Sequence, residues 1–83
     1  AWGIPTAPHG PFGPIAIACH VEAMAAHPGF LILEFAWGET DWRHTLISPQ
    51  EEVVNGRIQV NDRPGLGFEL NPEGIDAHRV MLD

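Results

Sequence analysis

Hydrophobic positions change rhythm along this chain. Within residues 14–26, Ile17, Val21 and Met24 recur at i, i+4 and i+7, and Ile15, Ala18 and Cys19 widen the apolar arc. That spacing predicts a helix with most of its surface buried. Pro14 suits its first turn, and no breaker follows before Pro28-Gly29. Phe30-Leu31-Ile32-Leu33-Glu34-Phe35 is instead a continuous apolar run, too short for a typical helix and without the alternation of a half-exposed strand. It predicts a fully buried parallel strand. Upstream, Ile4-Pro5-Thr6-Ala7-Pro8 is extended by its prolines. Strand, helix and strand make a βαβ unit, whose crossover should be right-handed and should bring the two strands together. Two parallel strands do not make a fold, so further strands and helices are expected around them.

The second half reads differently. Residues 39–48, with Trp42, Arg43 and His44, show no clear period, and Pro49 closes the stretch. Glu51-Glu52-Val53-Val54, Asn55-Gly56 and Arg57-Ile58-Gln59-Val60 predict a two-residue hairpin, because Asn-Gly tolerates the positive φ of a type I′ turn. Asp62 to Gly67 reads as loop. Asn71-Pro72-Glu73 resembles an N-cap, a first-turn proline and an early carboxylate, opening a short helix toward Leu82.

Composition narrows the function classes. Eighty-three residues suffice for one small domain or for a piece of a larger one. Four basic residues, all arginine, against eleven acidic ones give a net charge of −7, which excludes a phosphate-tracking surface and so nucleic acid and anionic membrane as partners. No apolar run reaches the length of about 20 residues that a membrane span needs, and no basic segment opens a signal peptide, so a soluble, cytoplasmic chain is expected. Cys19 is alone, and no disulfide compensates for a small core. That is a first indication of a fragment.

Of the five histidines, His20 and His27 share a helix face but lie seven residues apart, a rise of about 10 Å, too far for joint metal ligation at about 2 Å. They read as a partly exposed pair, and His44 and His78 as surface residues. His9 and Glu34 differ, because each falls at the C-terminal end of a predicted strand of the βαβ unit. Parallel α/β folds bind ligands at that edge, and strands about 4.8 Å apart let neighbouring ends meet. A glutamate in an apolar strand is also costly unless paired. Catalysis or substrate contact, and structural hydrogen bonding, are both open for this pair. Trp37 and Trp42 could line a cleft or simply pack.

Ala7-Pro8-His9-Gly10-Pro11-Phe12-Gly13-Pro14-Ile15-Ala16, with Glu34 in Leu31-Ile32-Leu33-Glu34, resembles the last barrel strands of the mandelate racemase/muconate lactonizing enzyme branch of the enolase superfamily, in particular its galactonate dehydratase-like group. Asn55 to Val60, Asp62 to Gly67 and Glu69-Leu70-Asn71 are similar to that family's C-terminal return segment, so the resemblance covers nearly the whole chain.

The resemblance implies an α/β fold, the C-terminal fragment of a (β/α)7β TIM-like barrel. Residues 1–48 would end the barrel, and residues 49–83 would return, with hairpin and short helix, to an α+β capping domain. It implies a Mg²⁺-dependent acid-sugar dehydratase that removes the proton α to a carboxylate through an enediolate. His9 matches the family's acid/base histidine, and Glu34 matches the acid that hydrogen-bonds the substrate carboxylate. No metal ligand falls within this chain; the metal-binding strands would lie before Ala1, and Ala1-Trp2-Gly3 reads as a helix end entering a strand, so the chain is expected to begin in mid-fold. The fragment alone is expected to be inactive, and the parent to be a homo-oligomer or the segment to associate with the missing barrel. A racemase or cycloisomerase of the same superfamily is the alternative. Outside it stand a small autonomous interaction module, which would fold alone, and a subunit completing a barrel made by another chain.

Overall fold

The computed structural model of the protein describes residues 3–80. Ala1 and Trp2, read as part of a helix end, and the expected course of the last helix from Met81 to Leu82 lie outside the described residues.

Helix α1 runs from Pro14 to Ala25, with Pro14 in its first turn as expected, and closes with the His27 N–H donating to Met24 O at 3.1 Å. It buries Pro14 and Ile17, while Val21 and Met24 are only half-buried. The segments it connects run parallel and meet at one bridge, Thr6 to Phe30. There the Thr6 N–H donates to Gly29 O at 2.7 Å and the Leu31 N–H to Thr6 O at 2.8 Å. The next rung would need an N–H from residue 8, which is proline and has none, so the ladder stops. The strands expected over residues 4–8 and 30–35 therefore reduce to this bridge. Leu31 and Ile32 are 61% and 64% exposed, and the expectation of a fully buried strand is corrected.

His27 pins the second crossing. Its Nδ1 accepts the Gly29 N–H at 2.8 Å, so Nε2 carries the ring proton and donates to Thr6 Oγ1 at 3.2 Å. A residue read as a partly exposed helix-end histidine thus ties both ends of the parallel bridge.

Beyond a 3-10 turn at Arg43–Thr45, strand β1 (Ile47–Ser48) pairs antiparallel with β4 (Glu69–Leu70), Ile47 opposite Leu70. Between them β2 (Val53–Val54) and β3 (Arg57–Ile58) form the expected hairpin, turned by Asn55 at φ 51° and Gly56 at φ 73°. Both central residues have the positive φ of a type I′ turn. Helix α2 spans Pro72–Ala77. Asn71 stands at its N-cap position but does not cap it: its side-chain amide donates to Thr45 O at 2.7 Å and its backbone N–H to Leu46 O at 2.9 Å. Asn71 therefore locks α2 and β4 onto the turn before β1. Gly74 packs directly on the Thr45 carbonyl, where a Cβ would collide with backbone.

Among the described residues the buried apolar side chains are Ile17, Ala36 and Ile47. The radius of gyration is 14.1 Å, against about 12 Å for a compact domain of this length. The chain is held together by local ties more than by a shared core.

Candidate active site

Thr6 and Phe30 fix the geometry of the site. Both segments leave the bridge in the same direction, so His9, three residues beyond Thr6, and Glu34, four beyond Phe30, travel to the same end. At about 3.3 Å per residue each has advanced roughly 10–13 Å, and their side chains can meet. They do. His9 Nδ1 lies 2.8 Å from Glu34 Oε2, and the same oxygen accepts the Gly10 N–H at 2.8 Å.

Two donors on one carboxylate oxygen define the roles of the ring nitrogens. An ionised carboxylate only accepts, so Nδ1 carries the proton, and the neutral ring offers a lone pair at Nε2. Among the described residues Nε2 makes no hydrogen bond, and the His9 side chain is 82% exposed. The Glu34 side chain is 45% exposed, which corrects the expectation of a glutamate enclosed in an apolar strand. Its cost is reduced by water and by the two donors.

Gly10 makes the approach possible. It is buried at φ 144°, a conformation that favours glycine, and the Phe12 ring lies across it, 2.6 Å from where a Cβ would stand. Phe12 in turn meets the His9 ring edge-on, with centroids 6.1 Å apart at 78°.

A half-buried cation is tied to the segment that follows His9. Arg43 donates from Nη1 to Phe12 O at 2.8 Å and from Nε to Glu51 Oε1, and its guanidinium carbon lies 5.0 Å from the Phe35 ring centroid. In the aperiodic stretch 39–48 no local motif marks Arg43 for this role. Trp37 is 74% exposed and lines no contact with His9, whereas Trp42 stacks on His78 at 3.8 Å and 9°. His44 and His78 are exposed, as expected, although His78 has this aromatic partner. A separate groove of about 800 Å³, lined by Met24, Phe30, Ile32, Trp37, Val53 and Ile58 among others, does not include His9 or Glu34.

Residues 1–74 match the family model described as enolase C-terminal domain-like. The chain belongs to that family. Two curated relatives agree with it. A D-xylonate dehydratase of Haloferax volcanii is 31% identical over 77 residues, covering 93% of this chain and 19% of the relative. A D-galactarolactone cycloisomerase of Agrobacterium fabrum is 29% identical over 86 residues, covering 94% of this chain and 23% of the relative. The enolase-like chain thus spans about a fifth of the length of the curated relatives it matches. No solved structure matches it. Among the described residues, no helix is long and apolar enough to cross a membrane.

Proposed function

We propose that these residues supply the proton-transferring histidine of an acid-sugar dehydratase, within a longer enzyme built as a (β/α)7β barrel. The observation that carries this reading is the His9–Glu34 hydrogen bond of 2.8 Å at one end of a parallel bridge. The relative named as a D-xylonate dehydratase supports the reaction class, and the relative named as a D-galactarolactone cycloisomerase favours a cycloisomerase as the second reading.

In this reading the substrate is a small carboxylate bearing a β-hydroxyl. His9 Nε2 takes the proton α to the carboxylate and delivers it to the β-hydroxyl, which leaves as water as the Cα–Cβ double bond forms. Glu34 Oε2 holds the ring in the Nδ1–H form and balances its positive charge when Nε2 is protonated. Such proton transfer by a positioned side chain commonly contributes about 10²–10⁴-fold.

The resemblance also implies Mg²⁺. Among the described residues no three His, Cys, Asp or Glu side chains gather as a metal site requires, and the ion enters no step here. Its ligands are proposed for parts of the longer enzyme. The same longer chain would cover Leu31 and Ile32, whose exposure speaks against an autonomous module. Assays on aldonic and aldaric acids in deuterium oxide test the reading: loss of the β-hydroxyl marks a dehydratase, whereas α-proton exchange without water loss points to a racemase.

A further inference from the structure

We infer that Arg43 is the positioning residue of the His9–Glu34 pair. The inference rests on the proposed role of that pair and assigns its support to a side chain that touches neither member. Arg43 is joined to both segments that carry the pair. Through Nη1 it holds Phe12 O at 2.8 Å, and the Phe12 ring packs on His9 and covers Gly10. Through its face it stacks 5.0 Å from the ring centroid of Phe35, the residue that follows Glu34.

Exposure shows which way the support runs. The Arg43 and Glu51 side chains are 20% and 8% exposed, whereas His9 and Glu34 are 82% and 45% exposed. A solvated pair cannot organise a half-buried one, because water competes for every bond it makes. The half-buried pair can organise the solvated one: Glu51 fixes the guanidinium at Nε, and the planar group then presents Nη1 and a face for the Phe35 ring in set directions. A lysine offers a point charge on a flexible stem and cannot hold Glu51, Phe12 O and the Phe35 face together.

The test uses the longer enzyme labelled with ¹⁵N, and reads the His9 ring nitrogens and the exchange rate of the Gly10 amide, with the amides of the β2–β3 hairpin as internal reference. In Arg43→Ala the Gly10 amide should exchange about tenfold faster or more, and the His9 nitrogens should move toward the average of the two tautomers, with the hairpin unchanged. Arg43→Lys should resemble Arg43→Ala rather than the parent sequence. Unchanged His9 and Gly10 signals in Arg43→Ala would overturn the inference. If Arg43→Ala loses the hairpin signals as well, Arg43→Lys decides: parent-like His9 and Gly10 signals in that variant reduce Arg43 to a generic structural cation. The underlying reading fails differently, through unimpaired turnover in His9→Asn of the longer enzyme, which would leave these couplings untouched.

Discussion

Glu34 Oε2 accepts from both Nδ1 of His9 and the backbone N–H of Gly10, each at 2.8 Å, across more than twenty residues of intervening chain. One oxygen therefore sets the ring's proton on the inner nitrogen and turns Nε2 outward. The neutral ring of His9 is expected to be the Nδ1–H tautomer, the minor one in free imidazole side chains. Its ¹⁵N shifts in the longer enzyme check this, and Glu34→Ala should return them to the ordinary tautomer mixture.

Gly74→Ala is expected to destabilise the C-terminal segment, because the added methyl has no room beside the Thr45 carbonyl. Overpacking of this kind costs about 1–3 kcal/mol. Asn71→Ala removes the 2.7 Å bond to the same carbonyl and should cost about 1 kcal/mol. Denaturant titration followed by tryptophan fluorescence measures both, since Trp42 lies in the adjoining turn.

The sequence made some of this visible and hid the rest for physical reasons. Helix α1 and the Asn55-Gly56 hairpin follow from local chemistry, a periodic apolar face and a turn that requires positive φ, and both stand where the pattern puts them. Parallel approach of residues near 4–8 and 30–35 is also legible, but its extent is not, because the run from Phe30 to Phe35 reads as a strand whether or not a partner can donate to it. Pro8, opposite Leu31 O in the next rung, ends the pairing. The β1–β4 pairing joins residues more than twenty apart through two-residue strands, too short to show alternation. His9 and Glu34 were legible as strand-end residues of one βαβ unit. Arg43 was not, since its role comes from long-range contacts with Phe12 O and Phe35 rather than from any local motif.

The exposed apolar face should drive association. Ile4, Leu31 and Ile32 are 65%, 61% and 64% exposed, and Trp37 is 74% exposed. The isolated chain is expected to sediment as oligomers or aggregates, and Ile32→Glu combined with Leu31→Gln to shift it toward monomer. A wild-type chain that sediments as a monodisperse monomer at about 100 μM would speak for an autonomous module.

Glu34→Gln keeps an acceptor for the His9 Nδ1–H but loses the charge that balances a protonated ring. Steady-state kinetics of the longer enzyme should therefore show a loss divided between KM and kcat, with substrate binding weakened more than in His9→Asn.

The central claim, that His9 carries the proton, is tested most directly by kcat for dehydration in the longer enzyme bearing His9→Asn. Asparagine preserves hydrogen bonding to Glu34 but cannot shuttle a proton near neutral pH. The account predicts a fall of about 10²–10⁴-fold in kcat on the best acid-sugar substrate, with substrate affinity nearly unchanged. Wild-type kcat in His9→Asn would contradict it and leave the 2.8 Å contact with Glu34 a structural bond alone.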